Sequence, residues 1–445
     1  MRRLDLMSDM RRVTVGQIAD IIAMGPFGSN IKVETFQPDG VPVISGAHLH
    51  GVRLRDGNFN FVSVEHADRL GRSNVQRNDV IFTHAGNIGQ VAYIPESSRY
   101  ERYVISQRQF YLRCNDAADP RYIAYYFRSP IGRHALLANA SQVGVPSIAR
   151  PASYLRSIEL LLPDKQQQIS VADALSTLDD KIDLNKRMNE TLEALARAIF
   201  RDWFVDFGPV RRKMEGATDP LAIMGGLVSE LARAVDLARL FPTALAGDEL
   251  PEGWRAATLA EYAILNPESW SARNAPEQVE YVDLSNTKWG EIENTVAYSW
   301  TEAPSRARRV VRTGDTLVGT VRPGNGSYAY VGTEGLTAST GFAQLRPKAM
   351  HFSEFIYLAV TSSENIERLS LLADGGAYPA VNPSVVLDTV ATSAPDTVIR
   401  AFAEIVSPLH SLMIQRRDEN RFLAETRDYL LPRLMSGQVS LAEEL

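Results

Sequence analysis

The sequence predicts a mixed α/β (α+β) chain of two globular domains, duplicated in a pseudo-two-fold arrangement and separated by two long helices that form an intramolecular antiparallel coiled coil. Three observations predict it. Two apolar seams run at coiled-coil spacing, each seam follows a helix-start signal, and a series of strand, turn and helix features recurs in order in two segments.

The first seam passes through Val171, Leu175, Leu178 and Ile182, turns polar at Asn185 and Asn189, and resumes at Leu192, Ala196, Ile199 and Trp203. Steps of four and three in alternation keep one stripe facing a partner helix. The second seam has the same spacing: Phe402, Val406, Leu409, Met413, Arg416, Asn420, Leu423, Arg427, Leu430 and Leu434. Matching Val171 with Phe402 sets one polar middle on the other, and polar seam residues fix register at some cost in stability. Pro163–Asp164 and Pro395–Asp396 precede the helices and suit a helix start, where free N–H groups favour an acidic side chain. A helix of roughly 35–40 residues spans about 50–60 Å at 1.5 Å per residue. Because the chain must return through a second globule before the second helix begins, antiparallel pairing is the simpler topology. An amphipathic helix packed on its own globule remains the plainer alternative.

These signals divide the chain into residues 1–160, a helix over 161–207, a linker with a short helix over 208–250, a second globule over 251–395, and a helix with its tail over 396–445. In the first globule a short helix is expected around Val15 to Met24, and extended segments at VPVIS and FNFVS. Arg77–Pro95 reads as strand, glycine turn, strand; Tyr103–Cys114 reads as another strand. Asp119–Ala138 has helical periodicity that Pro130 must break, Ser141–Tyr154 reads as loop, and Arg156–Pro163 as a strand. The second globule repeats the series. Val311–Val331 follows the pattern of Val75–Ile94, with Asp315 at the place of Asp79; Ser339–Pro347 follows Gln107–Cys114; Pro379 falls at the place of Pro146. Gly208–Gly226 reads as loop, and Leu227–Pro242 as a short helix.

Composition is that of an ordinary soluble protein, 45% hydrophobic and 22% charged. No run is as long as a membrane span, and MRRLDLMSDM lacks the apolar core of a signal peptide. One cysteine, Cys114, excludes internal disulfides and cysteine-based zinc clusters, so a cytoplasmic setting is expected. The net charge of -6 is uneven: residues 1–160 carry 19 Lys+Arg against 14 Asp+Glu, whereas residues 251–395 carry 11 against 16. A DNA grip by the second globule therefore needs a local basic patch. The sequence contains no P-loop, HExxH, paired CxxC or GxSxG motif. GNIGQ and PGNGS are too short for a nucleotide fingerprint. His48, His50 and His66 have no equivalent set in the second globule, which argues against a metal site. No catalytic or metal-binding residue is assigned.

The whole chain resembles the DNA-specificity (S) subunit of type I restriction–modification systems. The resemblance rests on GPFGSNIK (Gly25–Lys32), PEGW (Pro251–Trp254), the stretch from KQQQIS to RAIFRDWFVDF (Lys165–Phe207) and NRFLAETRDYLLPRLMSGQV (Asn420–Val439), in this order and spacing. It implies that the globules are target-recognition domains, each reading one half of a bipartite, asymmetric double-stranded DNA sequence. It also implies two modification subunits, which use S-adenosylmethionine to methylate adenine, and two restriction subunits, which use ATP and magnesium to translocate and cleave DNA. This chain would bind no cofactor and no membrane, and would sit on the nucleoid. The residues alone leave open a duplicated-domain protein-binding scaffold or adaptor without DNA specificity.

DNA readers use a few Arg, Asn, Gln and Ser side chains for bases, and Arg, Lys, Ser and backbone N–H for phosphates. In the first globule the candidates are His84, Asn87 and Gln90 in the glycine turn and Asn139, Ser141, Gln142 and Ser147 in the late loop, with Lys32, Arg77 and Arg150 for phosphates. In the second they are Arg322, Asn325, Ser327 and Tyr328, then Tyr378, Asn382 and Ser384, with Arg306, Arg308 and Arg309 as the local basic cluster. Gly, Asn and Ser are also what turns need for their own geometry. Phe200, Trp203, Phe204, Leu430, Leu431 and Leu434, at the helix ends, are expected either as docking surface for modification subunits or as packing against the chain's own domains.

Overall fold

In the computed structural model, which describes residues 10–28, 30–141 and 144–439, the two seams lie on helices Lys165–Phe204 and Asp396–Met435, each of 40 residues. The chain forms two compact units. One holds the described residues up to Leu184 and from Glu419 onward; the other is Asn185–Asp418. This differs from boundaries that set the helices apart from the globules, because each unit takes half of each helix. The reason is packing. In the first unit Val171, Ala172, Leu175, Leu431, Leu434 and Met435 belong to the globule's own core. In the second, Ala196, Ile199, Trp203, Val398, Phe402 and Val406 do the same.

Within each unit the two helical segments run antiparallel. In the first, the Arg427 guanidinium donates to Asp179 at 2.7 Å, and Lys181 faces Glu419 at 3.5 Å. In the second, the polar residues of the two seams meet: Arg416 donates to the buried Asn185 Oδ1 at 2.8 Å, and Asn189 Nδ2 donates to the Met413 carbonyl at 3.2 Å. A buried amide with its partner in place is stable only in this register. By length and composition the helix Asp396–Met435 is apolar enough to cross a membrane, but its residues Val398, Ile399, Phe402, Val406 and Met413 are buried inside the second unit.

Each globule is built on two four-stranded sheets and two two-stranded ribbons, one of them at its base. In the first, one sheet has the order Ala19–Met24, Gln109–Cys114, Asp79–Thr83, Val91–Tyr93, with every pair antiparallel. The other has the order Asn60–Val62, Val41–Ile44, Arg102–Ile105, Asn74–Gln76, with the central pair parallel. The second globule has the same two orders and senses: Ala263–Leu265, Phe342–Pro347, Thr316–Gly319, Tyr328–Tyr330, then Val296–Ser299, Gln278–Val282, Leu336–Ser339, Ala307–Val310. The ribbons at the base, Arg11–Thr14 with Glu159–Leu162 and Arg255–Thr258 with Val390–Ser393, join the start of each globule to the strand before its long helix.

Both hairpins are rooted in the same buried ion pair. Asp79 is fully buried, accepts from the Gln76 backbone N–H at 2.8 Å and takes two hydrogen bonds from Arg113 at 2.8 and 2.7 Å. Asp315 is likewise buried, accepts from the Arg312 N–H at 2.8 Å, and is held by Arg346 and by Gln344 Nε2 at 2.7 Å. A carboxylate can be buried this way only when nearly all its lone pairs are used.

Four segments depart from the sequence reading. Val15–Met24 is not a helix: one 3-10 turn, Val15–Ile18, leads into strand Ala19–Met24, because pairing with Gln109–Cys114 outweighs local helical preference. Tyr103–Cys114 is two strands. A turn closed by Gln109 N–H to Ser106 O, 3.0 Å, moves the chain from one sheet to the other. The linker contains helices Gly208–Met214 and Pro220–Ile223, the latter capped by the Asp219 carboxylate, ahead of Leu231–Arg239. Ser141–Tyr154 is also more ordered than a loop, with a short ribbon, Ala140–Ser141 with Ser147–Ile148, and a helix from Pro151 to Ser157.

His410 lies in the second unit's helical core, 3% exposed, between the rings of Tyr330 and Tyr357 at 4.9 and 5.4 Å. Burial, then the charges of Arg417 and Arg197, lower its pKa to about 4; Glu193 stands 4.0 Å away. The folded pKa lies below the unfolded one, so this stability is complete above pH 6.5 and is lost as pH falls toward 4. Replacing His410 by Leu should therefore reduce the loss of stability between pH 7 and 4 by roughly 2–4 kcal/mol. Urea unfolding of both proteins across that range checks it; parallel pH profiles would contradict it.

Candidate nucleic-acid interface

At the end of each hairpin away from the buried aspartate, the glycine turn meets the late loop. In the first globule, Ala85 bridges Ser147, Gly86 N–H donates to Pro146 O at 2.9 Å, and Ile148 N–H donates to His84 O at 2.8 Å. In the second, Val321 bridges Ala380, Arg322 N–H donates to Pro379 O at 2.8 Å, and Val381 N–H donates to Thr320 O at 3.0 Å. Pro146 and Pro379 thus have the same role, and the two stretches proposed separately from the sequence form one surface in each globule.

Several candidates are exposed there. Asn87 is at the tip of its turn; Asn139, Ser141 and Ser147 line the late loop, with Asn139 Nδ2 donating to Ala149 O at 2.9 Å. Arg150 is exposed, with positive φ, just before the helix Pro151–Ser157. Gln142 lies outside the described residues. His84 Nε2 donates to the Gln107 carbonyl at 3.1 Å, and burial lowers the pKa of its ring. In the second globule Arg322 and Asn325 are exposed on the turn, and Tyr378 is 72% exposed with the Arg322 guanidinium 4.8 Å above its ring. Asn382 caps the helix Pro383–Leu387 by accepting from Ser384, an internal task for both side chains.

Other candidates have structural work that the sequence did not reveal. Gln90 Nε2 donates to Gly46 O at 3.0 Å and its Oε1 accepts from Thr83, which ties the turn to the segment after strand Val41–Ile44. Ser327 is buried and does the same in the second globule, donating to Leu284 O at 3.0 Å. Tyr328 is a buried core residue. Arg77 stands at the root of the hairpin, not its tip, donating to Ser98 O at 2.9 Å. Lys32 is exposed at the start of the turn Val33–Thr35. In the basic cluster Arg306 is exposed, Arg308 stacks over Trp300 at 4.3 Å, and Arg309 donates to Ser269 at 3.3 Å.

The sequence reading missed residues that chain topology delivers from a distance. Beside the first turn is a groove of about 580 Å³, where His50, Asn60, Gln107 and Arg108 join Asn87. Beside the second, the Trp289 N–H donates to Gly326 O at 2.7 Å, and Trp289, 63% exposed, covers that glycine. Lys288 reaches Ser327 Oγ at 3.4 Å. Only strand pairing across the edge brings these segments to the turns. Among the described residues, no group of three or more His, Cys, Asp or Glu is placed to hold a metal ion.

The family model for the type I restriction modification DNA specificity domain matches residues 7–194. The HindI type I restriction enzyme specificity subunit of Haemophilus influenzae is 26% identical over 326 residues, covering 64% of this chain and 69% of that protein. The MjaIX specificity subunit of Methanocaldococcus jannaschii is 22% identical over 343 residues, covering 74% and 71%. The crystal structure of the type I restriction–modification S subunit from M. genitalium shares the fold, with TM-score 0.56 and 16% identity over 96% of each chain. By family model and relatives the chain is similar to type I restriction–modification specificity subunits, a similarity that supports a general role in DNA recognition, and it shares the fold of the M. genitalium subunit.

The apolar helix ends are not exposed surface. Trp203 and Phe204 are 0% and 2% exposed and pack with Phe200 and Phe402 in the second unit. Leu431 and Leu434 are buried in the first, with Leu430 packed against the same core. The expectation of a docking surface made from these side chains is therefore replaced by internal packing. Trp203→Ala should destabilise the second unit by about 3–5 kcal/mol, read by denaturant unfolding; a variant as stable as the parent would show that the indole carries no core.

Proposed function

We propose that this chain addresses a type I restriction–modification complex to its DNA, each globule reading one half of a bipartite, asymmetric target. The observation that carries the reading is the repeated strand order, which ends in each globule in an equivalent junction of hairpin turn and late loop. The two globules are taken as a duplicated pair related by a pseudo-two-fold axis, with the antiparallel helices setting the length of the unread spacer. Base-edge contacts at the junctions would select sequence, and exposed cations such as Arg150 and Arg306 would hold phosphates. Two modification subunits, using S-adenosylmethionine, would methylate adenine at the addressed site. Two restriction subunits, using ATP and magnesium, would act on unmodified DNA. The setting is cytoplasmic, on the nucleoid.

Modified adenines mapped in DNA exposed to this chain with its modification subunits should define one two-part sequence, with no modification by this chain alone. Exchanging residues 251–395 for the matching domain of a relative should change one half-site and leave the other intact. Modification by the isolated chain, or a change in both halves, would overturn the assignment.

A further inference from the structure

The two junctions share a set of backbone hydrogen bonds, although the second turn is one residue longer, and at two of the shared positions they exchange arginine for glycine. Gly86 and Arg322 each donate their backbone N–H to the equivalent proline carbonyl, Pro146 and Pro379. Arg108 and Gly341 each accept from the equivalent strand end, His84 N–H and Thr320 N–H, both at 2.9 Å. So the first globule has Gly86 on the turn and Arg108 on the crossing between sheets, while the second has Arg322 on the turn and Gly341 on the crossing.

Space explains the exchange. In the first globule the Arg108 guanidinium lies against Gly86, where an added Cβ would stand 3.4 Å from Nη1. In the second, a Cβ at Gly341 would meet the Leu284 side chain at 2.8 Å. Leu284 occupies the place of Gly46, since their carbonyls accept the equivalent bonds from Ser327 and Gln90. With the Leu284 methyl crowding the crossing, the arginine of the second globule stands on the turn, at a φ of 47° that it shares in sign with Gly86 at 85°. Each junction thus holds one exposed arginine at this place, where turn and crossing face each other. Among the described residues neither is in an ion pair with a carboxylate. Arg322 is fixed in orientation by a hydrogen bond to Ala377 O, 2.5 Å, and by the Tyr378 ring beneath it.

A planar guanidinium fork matches the two acceptors on a guanine edge, O6 and N7, the commonest base contact an arginine makes. Resting on the DNA-addressing role proposed above, we infer that Arg108 and Arg322 are reciprocal guanine readers, each making one G·C pair obligatory in the half-site of its own globule.

The test uses the complex with modification subunits on DNA with both half-sites randomised, reading methylated adenines by sequencing. Arg108→Ala and Arg108→Lys should relax one guanine in the first globule's half-site by about ten- to a hundredfold. Arg322→Ala and Arg322→Lys should do the same in the second. The untouched half-site reports folding in each case. A uniform loss over all sequences that lysine restores would make these residues phosphate anchors and overturn the inference, as would a wild-type half-site with no required guanine. A wild-type complex that marks no two-part sequence would instead remove the addressing role itself, and this inference with it.

Discussion

A buried aspartate at the root of each hairpin is the constraint on which the rest of each globule depends. Asp79 and Asp315 have no exposed surface, and each bonds a backbone N–H three residues earlier and an arginine from the neighbouring strand. The pair links turn, hairpin and central sheet at one point. Arg113 is held charged there, its pKa raised by the hydrogen bonds to Asp79. Removing one partner would leave the other charge desolvated and uncompensated, the most costly way to break such a pair. The strand that starts at this root, five residues long in the first globule, ends at the exposed junction.

The helices obey a second constraint of the same kind. Their apolar stretches merge with the globule cores, whereas their polar residues meet one another through Asn185 with Arg416 and Asn189 with Met413. Apolar contacts alone tolerate sliding by a turn or a heptad. A buried amide does not, because the slid register leaves it without a partner.

Much of this was legible in the sequence, and the failures have local causes. Helical seams, hairpins and the order of repeated features follow from periodicity and turn residues, which are short-range properties. Ala19–Met24 was misread because its pairing with Gln109–Cys114 comes from nearly a hundred residues away in the chain. Tyr103–Cys114 was misread because a three-residue turn between two apolar runs changes sheet without changing composition. At the site, residues within a turn, such as Asn87 and Arg322, could be nominated. Arg108 and Trp289 could not, since they reach the turn only through strand order. Gln90 and Ser327 also serve as side-chain-to-carbonyl clamps, a task that uses the same amides and hydroxyls as base contacts and so leaves no separate mark in the sequence.

The crossing between sheets at Ser106–Arg108 and at Thr340–Gly341 joins two strands that are already pinned on both sides. A segment so held carries almost none of the information that makes the globule fold. Under the addressing role proposed above, replacements there and in the turn it faces would change the address and leave the scaffold as it is, and the residue beneath the junction, Gly46 or Leu284, sets the side from which the arginine comes.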